Sequence, residues 1–132
     1  MRSVLLLDDN NDFRNVLKEL LEALGYQVEA LDNGLSGLEY LRTHEVMPDV
    51  IICDIRMPDM DGLTFLTRVR ENPDWAHLCL IASSGAKDDR VPALEHGADV
   101  YVSKPFNISE LREYIDKCMK QHSSDDKDAD HP

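Results

Sequence analysis

Four hydrophobic runs in this chain each lead into a residue able to do metal or phosphoryl chemistry. Val4-Leu5-Leu6-Leu7 runs into Asp8-Asp9 and Val50-Ile51-Ile52-Cys53 into Asp54. Leu78-Cys79-Leu80-Ile81-Ala82 runs into Ser83-Ser84, and Val100-Tyr101-Val102-Ser103 into Lys104-Pro105. An unpaired charge at the edge of an apolar core is costly, so a carboxylate closing the most hydrophobic run calls for a partner. If the four runs are parallel strands, one end of a sheet gathers three carboxylates, a hydroxyl and an ammonium. That set suits a divalent cation and a phosphoryl group.

Oxygen donors of this kind favour Mg²⁺, which keeps waters and shares its ligands with a phosphate. Zinc would want His or Cys at ligand spacing, and His44, His77, His96, His122 and His131 are scattered. Asp59-Met60-Asp61-Gly62 mimics the middle of a calcium loop, but the first position would be Met57 and the twelfth Arg68. Chemical type then divides the labour. Asp54 attacks phosphorus, Asp8 and Asp9 hold the metal, Lys104 meets a phosphoryl oxygen, and Ser83 donates a hydrogen bond to another. Taken singly, Asp8 and Asp9 read as well as helix caps, Lys104 as a solvated loop residue, and Ser83 and Ser84 as turn residues. The joint arrangement is what points to a site.

The elements that would position these groups alternate five times between strand and helix. Phe13, Val16, Leu17, Leu20, Leu21 and Leu24 form a stripe at helical spacing, stopped by Gly25. Gln27–Ala30 is a short strand, and Leu35, Leu38 and Leu41 mark a helix ending near His44. A loop at Met57–Gly62 precedes a helix from about Leu63 to Arg70. A fourth helix is expected near Asp88 to His96, entered with Pro92 and closed by Gly97. Asn107 with Glu110 has capping-box spacing before the stripe Ile108, Leu111, Ile115, Cys118 and Met119. Such alternation predicts a parallel sheet covered on both faces by helices, with its site beyond the carboxyl ends of the strands.

At 132 residues the chain fits one domain. Its net charge of -12, from 26 acidic against 14 basic residues, argues against direct nucleic-acid binding. No apolar run approaches the ~20 residues of a membrane helix. With no leader visible, the expected location is cytoplasmic. Cys53, Cys79 and Cys118 lack framework spacing and are expected to be buried reduced thiols. The pattern fades at Gln121. Residues 1–121 are therefore expected to form the domain, and 122–132 an acidic, disordered tail.

As a set, Asp8-Asp9, Asp54 with Met57-Pro58-Asp59-Met60-Asp61-Gly62, Ser83, Gly97-Ala98-Asp99, Tyr101 and Lys104-Pro105-Phe106 resemble the response-regulator receiver domain of two-component signalling. The similarity spans about Val4 to Met119. It implies a flavodoxin-like α/β fold, a doubly wound (βα)5 with a five-stranded parallel sheet. It also implies a phosphoryl group accepted on Asp54 from a sensor histidine kinase or histidine phosphotransfer protein, with Mg²⁺ required and Mn²⁺ a substitute. By position, Asp9 would be the main direct metal ligand and Asp8 would act largely through water. Asp54 and the backbone carbonyl of Arg56 would complete the protein ligands.

The same resemblance makes Lys104 the phosphoryl-binding lysine before a cis proline. Ser83 and Tyr101 become a switch pair that alters a downstream partner's affinity for the face of the fourth helix, fifth strand and fifth helix. A phosphorylation-dependent dimer is compatible with it. The protein would then be no enzyme beyond promoting its own phosphorylation and dephosphorylation. Ser84 and Arg56 depart from the commonest pattern and are expected to set the lifetime of the phosphorylated form. The runner-up is a small-substrate phosphatase or phosphotransferase with an aspartyl-phosphate intermediate. A receiver with a silent site, working only by binding, is a third reading.

Overall fold

The hydrophobic runs become the strands of one parallel sheet in the computed structural model, which describes residues 2–130, with side chains to residue 121. The strands are β1 (Ser3–Leu7), β2 (Gln27–Leu31), β3 (Val50–Asp54), β4 (Cys79–Ser84) and β5 (Val100–Ser103). The helices are α1 (Asn11–Ala23), α2 (Gly34–Thr43), α3 (Gly62–Glu71), α4 (Arg90–Glu95) and α5 (Ile108–Asp130). A short 3₁₀ turn, Lys87–Asp89, precedes α4, so the fourth helix is shorter than the expected span from Asp88 to His96. Strand order is β2-β1-β3-β4-β5. The order reverses at β1, so the carboxyl ends of β1 and β3 flank the topological switch point.

Alternation of side chains along buried strands builds two cores. Leu5, Leu7, Ile51, Cys53, Leu80 and Ala82 face one side and pack with Leu41 of α2, Phe65, Leu66 and Val69 of α3 and Ala93 of α4. Val4, Leu6, Val50, Ile52, Ile81 and Val102 face the other, against Leu17 and Leu21 of α1 and Leu111 and Ile115 of α5. Both faces of the central strands are thus apolar, which is why they read as continuous runs rather than alternating ones. The α1 stripe is wider than the face it buries. Leu17 and Leu21 are inside, whereas Val16, Leu20 and Leu24 lie on the exposed shoulder.

Two expectations change. Cys79 and Cys118 are not separate thiols: they form a disulfide, with Cα atoms 6.0 Å apart. Cys79 points to the α5 face of β4 and Cys118 lies on the inner stripe of α5, so face parity brings them together. Cys53, on the opposite face, stays free and buried. Its thiol is pushed well up, first by burial and then by the neighbouring Asp54 charge. The fourth strand, expected to end at Ala82, also runs on through Ser83 and Ser84. Both are buried inside β4.

The backbone of α5 runs as helix to Asp130. The side chains of residues 122–132, where an acidic, disordered tail is expected, lie outside the described residues.

Candidate functional site

Each acidic residue is set by local structure. Asp8 follows β1, and its Oδ1 accepts the Asn10 N–H at 2.9 Å, folding the chain back toward α1. Asn10 rather than either aspartate caps that helix, its side chain accepting from the Phe13 N–H at 2.9 Å. The cap reading of Asp8 and Asp9 is thereby displaced, and their carboxylates serve elsewhere. Asp54 is the last residue of β3 and only 6% exposed. Beyond it, the Ile55 N–H donates to the Ser83 carbonyl at 2.9 Å, continuing the ladder.

The loop after Asp54 returns close to it. The Gly62 N–H donates to the Ile55 carbonyl at 2.8 Å, and Asp61 caps α3 by accepting the Thr64 N–H at 2.8 Å. A Cβ at Gly62 would overlap the Asp54 carbonyl oxygen and sit 2.6 Å from the Ile55 Cα. Only glycine allows this approach, which explains the Asp61-Gly62 pair better than a calcium loop does.

Asp8, Asp9 and Asp54 each offer a carboxylate oxygen to one cluster, all within 4.8 Å of one another. Three hard oxygen donors at this separation, one of them exposed, fit a Mg²⁺-class ion that retains waters. Lys104 reaches the same cluster from β5. Its Nζ donates to Asp8 Oδ2 at 2.8 Å and stands 3.7 Å from Asp54 Oδ2. The ammonium also lies 4.3 Å from the centroid of the Phe13 ring, which in turn meets Phe106 edge-on. Lys104-Pro105 is a cis peptide, as the resemblance implies.

Crowding shows in the electrostatics. Burial pushes the Asp54 carboxyl up from 3.8 to about 6, with Lys104 pulling it down, Asp8 raising it and the Arg56 backbone N–H lowering it. An unneutralised Asp54 is therefore strained toward its protonated form. A cation in the cluster would favour the carboxylate.

Asp8, Asp9, Asp54 and Lys104 thus come together as the strand ends predict. Ser83 lies directly across from Asp54 in the β3–β4 register. Tyr101 is buried. Its hydroxyl donates to the Ala86 carbonyl at 2.9 Å and to the Ser84 carbonyl at 3.3 Å. Arg56 does not reach over Asp54 as a free cation: its guanidinium grips Asp89 through two bonds of 2.9 Å each.

Two further residues, Asp89 and Arg14, brace the site without being expected there. Arg14 donates to the Asp8 carbonyl at 2.8 Å and so braces the loop that carries the acids. An arginine near the start of a helix that follows an acidic pair was the available signal for it. Nothing in sequence marks Asp89, the second of two adjacent acids at the start of the expected fourth helix.

The chain matches the response regulator receiver domain family over residues 4–116 and belongs to that family. It is 37% identical over 119 residues to the sensor histidine kinase CheAY of Helicobacter pylori, covering 89% of this chain and 15% of that protein. A crystal structure of a putative response regulator from Chloroflexus aurantiacus superposes with a TM-score of 0.84 at 28% identity, covering 90% of this chain and 98% of the other.

The receiver domain of the sensor histidine kinase PA1611 from Pseudomonas aeruginosa, with a magnesium ion coordinated in its active-site cleft, gives 0.82 at 26% identity. It covers 90% of this chain and 98% of its own. The chain spans between 15% and 59% of the length of the curated relatives it matches first. The fold and family are those of a two-component receiver domain, and no helix among the described residues is long and apolar enough to cross a membrane.

Proposed function

We infer that this receiver accepts a phosphoryl group on Asp54 from a phosphohistidine of a sensor histidine kinase or histidine phosphotransfer protein. One observation carries the reading: a buried strand-end carboxylate faces two further acids and a lysine ammonium across less than 5 Å. Asp8, Asp9 and Asp54, with the Arg56 backbone carbonyl, would hold Mg²⁺. Bound there, the ion neutralises the carboxylates and the charge that develops on the transferring phosphoryl oxygens.

The chain's own residues do the rest. An Asp54 carboxylate oxygen attacks phosphorus, forming an O–P bond as the donor's N–P bond breaks. The bonding pair leaves on the imidazole nitrogen, which takes up a proton. Lys104, already oriented by Asp8 and the Phe13 ring, lies where it can pair with a phosphoryl oxygen. Ser83, facing Asp54 across the ladder, supplies a hydroxyl to a second oxygen. The added charge then biases the segment that includes Tyr101, whose ring joins β5 to the loop before α4. A downstream effector reading the α4-β5-α5 face would sense that change, in the cytoplasm where such kinases present their phosphohistidines.

Incubation with acetyl phosphate and Mg²⁺, followed by intact mass, tests the reading. One added phosphoryl group is expected in the wild type and none in Asp54→Ala. A phosphatase would instead turn over p-nitrophenyl phosphate, and negligible turnover is expected. Mass addition that persists in Asp54→Ala, or steady turnover, removes the proposal.

A further inference from the structure

Asp89 takes no part in the phosphorylation chemistry, yet its side chain is almost wholly engaged. It closes the 3₁₀ turn before α4 and is 7% exposed. Its Oδ2 accepts from Ser84 Oγ at 2.6 Å and from Arg56 Nε at 2.9 Å, and its Oδ1 accepts from Arg56 Nη2 at 2.9 Å. The Arg56 guanidinium, followed by the Ser84 hydroxyl among the favourable contacts, holds the carboxyl below its ordinary range.

The two donors come from the two segments that frame Asp54. Arg56 stands two residues beyond it, and the Asp54 charge already acts on the guanidinium. Ser84 follows Ser83, the residue across the ladder from Asp54. Asp89 therefore ties the β3–α3 loop, the end of β4 and the entrance to α4 into one knot. The Arg56 side chain is 68% exposed despite that grip.

A guanidinium fork recognises carboxylate and phosphate with the same geometry. A phosphoryl group carries more charge and more acceptor oxygens than a carboxylate. We propose, resting on Asp54 as the phosphoacceptor, that Asp89 is an internal competitor that occupies Arg56 and Ser84 in the unphosphorylated chain. It yields them when a phosphoryl group arrives. Loss of both partners leaves a buried carboxylate unpaired, which turns outward and frees the 3₁₀ turn and α4. The Ser84 and Ala86 carbonyls that accept from Tyr101 belong to the same stretch, so release of the knot reaches the β5 ring as well.

Binding of beryllofluoride with Mg²⁺, a mimic of the phosphoryl group, tests the competition. Asp89→Asn keeps the size but loses the charge, and is expected to tighten binding at least about fivefold, the lower end of ordinary coupling between sites. In an Arg56→Gln background the same change is expected to bring a smaller gain, because only Ser84 is then released. Unchanged or weaker binding by Asp89→Asn overturns the proposal, as does an equal gain in both backgrounds.

Should Asp89→Asn not fold, hydrogen exchange on the wild type decides. Amides of residues 87–95 must exchange faster with beryllofluoride bound, and unchanged or slower exchange overturns the proposal. A wild type that binds no beryllofluoride and takes no phosphoryl group loses the Asp54 reading and this one together. Normal phosphorylation with Asp89→Asn indistinguishable from wild type removes the competitor alone.

Discussion

Replacing Asp54 with Asn should make the metal-free protein more stable at neutral pH, although it removes the proposed reacting group. Burial and the neighbouring acids outweigh Lys104 and hold this carboxyl at about 6 instead of 3.8. A difference of that size disfavours the ionised folded protein by on the order of 3 kcal/mol once both folded and unfolded forms are deprotonated. The folded state keeps its proton to higher pH than the unfolded chain does. Stability from this group is therefore fully present below about pH 4, lost as pH rises toward 6, and absent above 7.

Asn retains an oxygen for the Arg56 backbone N–H and carries no charge. With Asp54 only 6% exposed, solvent screening removes little. We expect a gain of about 2–3 kcal/mol at pH 7.5, or roughly 6–12 °C in Tm for a chain of this size. The gain at pH 4 should be under about 1 kcal/mol. Urea unfolding in EDTA at both pH values, with unchanged m, reads it directly. Equal or lower stability of Asp54→Asn at pH 7.5, or the same gain at both pH values, would refute the reasoning.

Other consequences are as specific. Lys104 is the largest influence pulling the Asp54 carboxyl down, so Lys104→Met should move the pH midpoint of acetyl phosphate labelling to higher pH and lower the rate at pH 7. A midpoint shifted to lower pH contradicts the assignment. Gly62→Ala forces a Cβ into backbone at Asp54 and Ile55, and should lower stability by roughly 2 kcal/mol or more in denaturant titration. The same variant should impair labelling, because the reacting strand end must shift to make room.

The strand ends were legible because an apolar run fixes where a buried strand stops. Asp8, Asp9, Asp54 and Lys104 inherit their convergence from that rule together with parallel topology. What stayed hidden depends on partners distant in sequence. Ser84 reads as a turn residue because a serine is seldom expected inside a strand end, yet Asp89 satisfies its hydroxyl and lets β4 run on.

The Arg56–Asp89 pair joins a loop residue to the 3₁₀ turn before α4, and both residue types are ordinary for solvent. Cys79 and Cys118 each announce burial, but only the shared face of β4 and α5 makes them partners. The α1 stripe overstated its buried width for a related reason: spacing places residues on a shoulder without saying whether anything covers it.

We propose that Asp54 itself carries the phosphoryl group inside a cation-dependent cluster. Borohydride reduces an acyl phosphate to an alcohol, so treatment of the phosphorylated protein followed by peptide mass mapping locates the bond. Homoserine is expected at residue 54, only when Mg²⁺ was present during labelling. An unmodified Asp54 peptide with conversion at Asp8, Asp9 or elsewhere, or full conversion in EDTA, would contradict it.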